Sequence, residues 1–393
     1  MSSMPKSEIY FDNAATTFPK PPAVETALVD YMRQVGASAG RGAYPRAIRS
    51  GEIIEETRVL LSRLFNIPTP RRIIFTLNAS DALNLAIKGI AWKAGDSAVV
   101  SAMEHNSVLR PLHALKEKIG IRVIKVPANA EGAVDPNAFA QVVDATTKLI
   151  ALVHASNVSG TLQPVAEVGA LARALRIPFL VDAAQTAGAF PIDVEAMKID
   201  LLAFPGHKGL LGPLGTGALY IREGLDLQPL REGGTGSISE HEIQPNFLPD
   251  KYEPGSHNAL GIAGLKAGVH FLLSTGVEKI RAHEEALTAQ FLRGIQKLAP
   301  LTLYGPLDAA RRVAVIPVRL KGFAPLELAQ RLFDSHCLMT RAGLHCAPGA
   351  HQAIGTYPLG ATRFSFGYFN TAADVQEGIA ALTELAVQSS VTA

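Results

Sequence analysis

The sequence predicts an α/β protein in which a mainly parallel sheet, covered by helices on both faces, is followed by a smaller C-terminal α/β unit. From residue 71 to residue 222, short apolar strands alternate with amphipathic helices, which is the pattern of a parallel sheet. After Arg231 this alternation gives way to glycine-rich loops, long helices and a few further strands. We expect an N-terminal arm over residues 1–22, a large domain over 23–265 and a small domain over 266–393.

Composition narrows the class of protein. The chain has 393 residues, of which 48% are hydrophobic and 18% are charged, so it can bury a sizeable core. Its 37 basic and 35 acidic residues leave a net charge of +2 without a basic run, and we therefore expect neither nucleic-acid nor membrane partners. Two cysteines and a polar start without an apolar leader segment favour a cytoplasmic protein without disulfides.

The helices and strands are predicted in chain order from the positions of proline and glycine and from the periodicity of apolar residues. A strand-like start at residues 9–17 runs into a proline-rich extended segment at 18–22, because proline excludes a helix there. Helical spacing of apolar residues then predicts helices at 23–32 and 47–66, separated by a glycine-rich loop at 36–44.

The alternating region and the C-terminal part follow from the same signals. In the first we expect strands at 72–76, 97–101, 121–126, 148–154, 178–181, 200–204 and 216–222, with helices at 82–93, 106–119 and 166–175. In the second we expect a helix from 259 to 273 that continues past Gly276 toward 298, strands at 313–320 and 362–368, and helices at 325–334 and from 372, the last capped by Asn370 or Thr371.

Polar side chains follow five predicted strands within a few residues, namely Ser80, His105, Asn157, Asp182 and Lys208. The carboxyl ends of parallel strands meet at one edge of a sheet, where ligands bind, so these side chains are expected to converge. A desolvated lysine can form a Schiff base, and pyridoxal phosphate needs such a lysine and an acid for its ring nitrogen. We therefore expect this cofactor and no metal.

Each piece has an ordinary alternative when it is taken alone. The segment from Asn78 to Asp81 fits a plain helix cap as well as a phosphate site. Lys208 and Asp182 each fit a solvated turn, His105 a structural role, and Asn157 beside a glycine a turn former. The hypothesis depends on the combination.

The combination resembles a known family. Val181-Asp182-Ala183-Ala184-Gln185 followed by Gly206-His207-Lys208 resembles the class V aminotransferase group of fold-type I pyridoxal phosphate enzymes. The tail from Arg341 to Pro348, which reads Arg-Ala-Gly-Leu-His-Cys-Ala-Pro, resembles the cysteine desulfurase/selenocysteine lyase branch. Asn13-Ala14-Ala15-Thr16-Thr17 and Thr362-Arg363-Phe364-Ser365 also match, so the resemblance spans essentially the whole chain.

The resemblance implies a role for each matching residue. Lys208 would bind the cofactor's aldehyde, Asp182 would pair with its ring nitrogen, Gln185 with its ring oxygen, and His105 would stack on the ring and take part in catalysis. Ala79, Ser80 and His207 would hold the phosphate together with Ser256 of the partner subunit, which implies a homodimer. Asn157 would meet cofactor and substrate, and Arg363 and Asn13 would bind the substrate, Arg363 through a bidentate contact with its carboxylate.

Cys346 decides the chemistry that the resemblance implies. Its thiolate would take sulfur from L-cysteine as a persulfide and leave L-alanine, with a protein as the sulfur acceptor and selenocysteine as a further substrate. A thiolate is the attacking species, and the neighbouring His345 is expected to favour it. Cys337 fits a small buried hydrophobe instead.

Two alternatives stay open on the sequence alone, and one position departs from the family. The chain can be another class V aminotransferase or lyase in which Cys346 is incidental, or a non-catalytic protein that binds a phosphorylated ligand.

Two residues before His207 the family often has a hydroxyl residue, whereas this chain has Pro205. We therefore expect weaker retention of the cofactor.

Overall fold

A computed structural model describes residues 8–40 and 42–391, without the side chains of the last two. Part of the predicted arm, residues 1–7, and the last two residues of the predicted small domain lie outside the described residues. The strands are β1 (Ile9–Tyr10), β2 (Ile73–Thr76), β3 (Ser97–Ser101), β4 (Arg122–Val126), β5 (Thr147–Val153), β6 (Phe179–Asp182), β7 (Leu201–Pro205), β8 (Gly217–Ile221), β9 (Leu301–Leu303), β10 (Val315–Leu320), β11 (Leu338–Met339), β12 (Arg341–Gly343) and β13 (Ala361–Ser365).

The helices alternate with the strands from β2 to β6, and elsewhere strands or helices also follow one another directly. They are α1 (Pro22–Asp30), α2 (Pro45–Phe65), α3 (Ala79–Lys88), α4 (Asn106–Ile119), α5 (Pro136–Val142), α6 (Val165–Leu175), α7 (Ala259–Thr275), α8 (Val277–Ile295), α9 (Pro325–His336), α10 (Pro348–Ala353) and α11 (Ala372–Val391). Among the described residues no single helix has the length and apolarity to cross a membrane, although α7 and α8, bent by 83°, reach that limit as a pair.

A seven-stranded sheet forms the centre of the molecule, in the order β2-β8-β7-β6-β5-β3-β4. The predicted, mainly parallel sheet is confirmed, because β4, β3, β5, β6 and β7 all run in one direction. β8 runs antiparallel to both β7 and β2. The segment 206–216 that joins β7 to β8 contains no helix, and a parallel return needs a crossover of about a dozen residues or more, usually helical.

Helices cover both faces of this sheet. On one face α1, α2 and α7 pack together over a core that includes Phe65 and Phe204. On the other, α3 and α4 pack over a core that includes Leu83 and Leu112. The strands between them are almost wholly buried, as expected for parallel strands with both faces covered.

The C-terminal part has its own antiparallel sheet, in the order β12-β13-β10-β9. Its core includes Phe291 and Phe364, contributed by α8 and β13, together with Phe11 from the N-terminal arm. Beyond Tyr10 the arm contacts the end of β13, where Asp12 forms a parallel bridge with Ser365. The smaller α/β unit is confirmed in its fold, and the boundaries at residues 22 and 265 stay predictions.

Most predicted elements are present, with shifted ends. α3 begins three residues before its predicted start and ends at Lys88, not residue 93. The helix predicted to continue past Gly276 breaks there, because Gly276 has a φ of 91° and ends α7. The sequence analysis did not predict β9, β11, β12, α5 and α10. All five are two to seven residues long, and such short segments give little periodicity to detect.

Candidate active site

A cleft opens at the carboxyl ends of β5, β6 and β7, with the N-termini of α3 and α4 on its rim. It has a volume of about 110 Å³ and is partly open to solvent. The five residues expected to converge, Ser80, His105, Asn157, Asp182 and Lys208, all line it. Other cleft residues are Asn78, Ala79, Leu83, Ser107, Val153, Ala184, Gln185, Pro205 and His207.

Asp182 and Lys208 form the charged floor of the cleft. Asp182 ends β6 with 3% of its surface exposed, and its Oδ1 accepts a hydrogen bond of 3.0 Å from the backbone N–H of Ala184. Burial raises the pKa of the Asp182 carboxyl. Burial also lowers the pKa of the Lys208 amine to about 8, against the opposing effect of Asp182. A larger share of neutral amine makes Lys208 a better nucleophile toward an aldehyde.

The N-terminus of α3 supplies donors on one side of the cleft. Asn78 caps the helix, and its Oδ1 accepts from the backbone N–H of Asp81 at 2.9 Å. Ala79 and Ser80 then place the first turn at the cleft. The Ser80 hydroxyl lies 2.6 Å from that of Ser107. The segment is therefore a helix cap, as the plain alternative had it, and the N–H groups of the first turn that lack helical partners can still bind an anion.

His105 is held in one orientation at the start of α4. Its Nδ1 accepts from the backbone N–H of Ser107 at 3.1 Å and lies 2.9 Å from the Ser107 hydroxyl. Burial, followed by the charge of Lys208, lowers the pKa of His105 to about 4. A neutral imidazole with Nδ1 as acceptor can stack on a ring and carry its proton on Nε2.

The neighbouring Glu104 is a residue that the sequence reading missed. Its side chain is fully buried, and Oε1 accepts from the Ser101 hydroxyl at 2.5 Å and from the backbone N–H of Val153 at 2.9 Å. Burial raises its pKa to about 8. Glu104 thus ties the end of β3 to the end of β5, the strands that lead to His105 and Asn157. A glutamate beside a histidine after an apolar strand was the available signal.

The N-terminal arm fixes the loop that carries Lys208. The carbonyl of His207 accepts from the Thr16 hydroxyl at 3.0 Å, the Thr17 backbone N–H at 3.2 Å and the Lys20 Nζ at 2.6 Å. The Thr17 hydroxyl donates to the carbonyl of Lys208 at 3.0 Å. Such a density of donors on two consecutive carbonyls fixes the backbone from which Lys208 projects. Sequence patterning gave no signal for this contact.

The arm also contacts Gln185, and hydrogen bonds fix its own residue Asn13. Gln185 donates to the carbonyl of Ala14 at 3.0 Å. The Asn13 amide donates to the carbonyl of Ser365 at 3.0 Å and to the Asn370 Oδ1 at 3.1 Å. Asn13 lines a smaller neighbouring cavity, which it shares with Gln185 and Lys208, not the cleft itself. Its role in substrate binding stays a prediction.

Arg363 lies where the small sheet meets the cleft. On β13 it is 3% exposed, and it donates through Nη1 to the carbonyl of Asn157 at 3.0 Å and through Nη2 to the Asp12 Oδ1 at 2.9 Å. Its Nε is buried without a hydrogen-bond partner among the described residues. Arg341, opposite it on β12, also binds Asp12. The sequence reading assigned Asp12 no role.

Cys346 is exposed on a loop held from both sides. Its carbonyl accepts from the backbone N–H of Asn106, the first residue of α4, at 2.8 Å. The carbonyl of His345 accepts from the Asn157 Nδ2 at 2.6 Å. His345 and Cys346 both have left-handed backbone conformations, with φ of 48° and 58°, which cost roughly 1–3 kcal/mol each and persist when contacts compensate. The loop therefore has a defined conformation against the cleft.

His345 does not act on the thiol as a positive charge, which corrects the expectation that it favours the thiolate. Burial, followed by the charge of Arg363, lowers its pKa to about 2. Its Nε2 lies 3.3 Å from the carbonyl of Arg341 and its Nδ1 3.3 Å from the His351 Nε2. Because a carbonyl only accepts, Nε2 carries the proton and Nδ1 accepts from His351. His345 therefore orients the loop.

Ser256 and Cys337 lie apart from the cleft. Ser256 is exposed and lines two other cavities, which it shares with His257 and Gly255. Cys337 is half-buried at the end of α9 with a left-handed φ of 54°. Within one chain neither side chain joins the cleft residues.

The cleft fits pyridoxal phosphate. It combines a buried carboxylate, an amine with a lowered pKa and free N–H groups at a helix start. The His207 Nδ1 is also buried there without a hydrogen-bond partner among the described residues. An unpaired buried polar atom is costly, and a phosphate oxygen is a group that can pair with it. The donor set is that expected of a phosphate-bearing aldehyde cofactor.

The stability of the protein is expected to fall in mild acid because of His154. Burial lowers its pKa to about 4, below the unfolded value of ~6.5, so unfolding takes up a proton. This contribution is present above pH ~6.5 and is lost as pH falls through about 4, by up to about 3 kcal/mol. Urea unfolding at pH 7 and pH 5 should show a smaller acid loss in His154→Asn. The exposed His113 provides the control His113→Gln, which should keep the wild-type loss. An unchanged loss in His154→Asn would refute the assignment.

Comparison with known proteins gives consistent matches. Residues 9–377 match the aminotransferase class-V family model. A probable cysteine desulfurase of Methanothermobacter thermautotrophicus is 34% identical over 94% of this chain and 93% of its own length. The apo structure of a cysteine desulfurase from Thermococcus onnurineus NA1 superposes with a TM-score of 0.90 at 31% identity, covering 99% of this chain and all of the other. The structure of a cysteine desulfurase from Escherichia coli superposes with a TM-score of 0.86 at 26% identity, covering 97% of this chain and 95% of the other.

Proposed function

Because the chain belongs to the class V aminotransferase family, we propose that it is a pyridoxal-phosphate-dependent cysteine desulfurase. In this reaction L-cysteine gives up its sulfur to Cys346 and leaves as L-alanine. One observation supports the choice most strongly. Cys346 is exposed on a loop that hydrogen bonds hold against the cleft through Asn106 and Asn157.

Pyridoxal phosphate, when bound, supplies an electron sink next to the substrate's α-carbon. Lys208 would bind its aldehyde, and the Asp182 carboxylate would pair with its ring nitrogen. The start of α3 at Ala79 and Ser80, together with His207, would hold the phosphate. Gln185 would donate to the ring oxygen, and His105 would stack on the ring with a proton on Nε2.

Arg363 and Asn157 orient the substrate. Arg363 is buried and keeps one donor, Nε, without a partner among the described residues. A carboxylate placed there gains a charge-assisted hydrogen bond. The same Asn157 holds the loop of Cys346, so substrate and thiol are oriented by neighbouring atoms.

The sulfur step is balanced between two thiols. The Cys346 thiolate attacks the substrate sulfur, a sulfur–sulfur bond forms, and the bond from sulfur to the β-carbon breaks. Each sulfur is oxidised by one electron, and the β-carbon takes both electrons and a proton. The products are a Cys346 persulfide and L-alanine.

Turnover of L-cysteine under a reducing thiol tests the proposal. The purified holoenzyme should release alanine and sulfide in equal amounts. Formation of pyruvate and ammonia together with sulfide, or of the transaminated keto acid without sulfide, in place of alanine would favour a different class V reaction. Absence of visible cofactor absorbance would favour a binding protein instead.

A homodimer completes the proposed site, with Ser256 acting on the phosphate of the partner subunit. Ser256 is exposed and lies outside its own cleft. Among the large exposed apolar residues, Leu77 and Phe247 line the cavities that Ser256 lines, and Ile243 lies on the same loop as Ser256. Exposed apolar surface of this kind marks an interaction site. Size measurement in solution and the cofactor retention of Ser256→Ala test the two parts separately.

The exposed Cys346 suits transfer of its persulfide to an acceptor protein. Both cysteines are free thiols, which fits a reducing compartment such as the cytoplasm. Selenocysteine has the same shape as L-cysteine and is proposed as a second substrate. Relative turnover of the two amino acids measures this.

Cofactor retention is expected to improve in Pro205→Ser. Pro205 ends β7 and lines the cleft, where it offers no donor to the phosphate. A serine hydroxyl there adds one hydrogen bond to a charged acceptor, about 1–3 kcal/mol. Dialysis should therefore remove cofactor more slowly from Pro205→Ser than from wild type. Pro205→Ala, which lacks both ring and hydroxyl, is the control, and equal loss from Pro205→Ser and Pro205→Ala would refute the prediction.

A further inference from the structure

Two arginines lie directly opposite each other in the small sheet. β12 and β13 are antiparallel, and Arg341 pairs in register with Arg363. Residues opposite each other on such a pair share one face of the sheet, and like charges there repel. This arrangement needs a counterion.

Asp12, on the N-terminal arm, is that counterion. Its Oδ1 accepts from the Arg363 Nη2 at 2.9 Å, and its Oδ2 accepts from the Arg341 Nε at 2.9 Å and lies 2.8 Å from the Arg341 Nη2. The arm delivers it there because Asp12 bridges Ser365 at the end of β13. One carboxylate is thus shared by two guanidinium groups.

The three charges do not cancel. Two arginines and one aspartate leave a net charge of +1, and Arg363 has a further N–H without a partner among the described residues. The side chain of Arg341 is 54% exposed and that of Arg363 only 3%. The cluster therefore has a buried end beside Asn157 and an end open to solvent. One monovalent anion would neutralise its net charge.

We infer that Asp12 limits the negative charge of the substrates that the enzyme accepts. Its carboxylate occupies half of an anion site formed by two arginines. The enzyme therefore accepts amino acids with one carboxylate and disfavours those with a second anionic group. This rests on the proposed function, since Arg363 is the proposed carboxylate ligand. Asp12 is a positioning and specificity residue, because it acts on the substrate through Arg363 and Arg341.

A set of charge variants tests the inference. At this cluster the net charge is +1 in wild type, +2 in Asp12→Asn, 0 in Arg341→Gln and +1 again in the double variant. The probes are propionate and malonate, which have similar size but one and two charges at pH 7.5. Their dissociation constants are measured by titration of the holoenzyme, without turnover.

In Asp12→Asn, binding of malonate relative to propionate should rise roughly tenfold. In Arg341→Gln both anions should bind more weakly, and the KM for L-cysteine should rise more than kcat changes. The double variant should recover the wild-type ratio. Asp144→Asn, which breaks an exposed pair with Arg122, is the matched control and should change nothing.

A merely structural role gives a different result. If Asp12 only holds the arm in place, its loss weakens the binding of propionate and malonate alike and leaves the ratio of their dissociation constants unchanged. An unchanged ratio in Asp12→Asn, or no recovery in the double variant, would overturn the inference. If Asp12→Asn does not fold, Arg341→Gln decides, since undiminished propionate binding there also overturns it. Because these are binding measurements, they separate from a failure of wild type to turn over L-cysteine.

Discussion

Lys208→Ala is expected to abolish the visible absorbance of the bound cofactor and to lower turnover of L-cysteine by roughly 10⁴- to 10⁶-fold, as removal of a covalent catalytic group does. Lys208 is the single lysine among the described residues that line the cleft. Its amine has a pKa lowered to about 8 by burial, and the nearby Lys20 amine is held by the carbonyl of His207 instead. Absorption spectra and alanine formation measure the two effects.

The matched control is Lys93→Ala. Lys93 is exposed and follows α3 outside the cleft. It should keep both the absorbance and the rate of wild type. Retained absorbance in Lys208→Ala would show that the cofactor binds elsewhere, and the proposed site would then be wrong.

Cys346→Ala is expected to stop release of sulfide and alanine while the cofactor spectrum stays intact. The thiol is the proposed sulfur acceptor, and water cannot take its place as the nucleophile. The loss in rate should be roughly 10³-fold or more. The backbone contacts of the loop do not depend on the thiol, since Cys346 is held through its carbonyl.

Cys337→Ala provides the control for thiol chemistry. Cys337 is half-buried at the end of α9 and does not line the cleft. Its loss should leave the products unchanged. Full turnover in Cys346→Ala would refute the desulfurase proposal and favour another class V reaction, whereas loss of the spectrum would reveal a structural defect instead.

The cleft could be predicted because local signals determine where strands end. Asp182 and Lys208 each follow a buried apolar strand, and the geometry of a parallel sheet brings such ends together. The position of β8 was equally clear, but its direction was not. Direction depends on the connection, and here the short loop from Pro205 to Gly217 excludes the usual crossover.

Contacts across distant parts of the chain could not be predicted. The arm at Thr17 fixes the carbonyl of Lys208, and Asp12 joins two arginines, yet neither residue belongs to a periodic pattern. For His345 the sequence predicted a contact between neighbouring residues that the structure does not contain. Its neighbour in sequence is Cys346, but its ring contacts His351 and the carbonyl of Arg341, because side-chain direction depends on backbone conformation.

The distance along the chain between Asp12 and Arg363 has a consequence for biosynthesis. These partners are 351 residues apart, and domains generally form from the N-terminus as the ribosome releases the chain. The large sheet is complete once β8 has emerged, so a nascent chain acquires Lys208 and Asp182 long before it acquires Arg363. A chain arrested between those points has the proposed cofactor lysine in place without the arginine proposed to bind the substrate carboxylate. On that proposal, the protein gains substrate selectivity only in the last stage of its own translation.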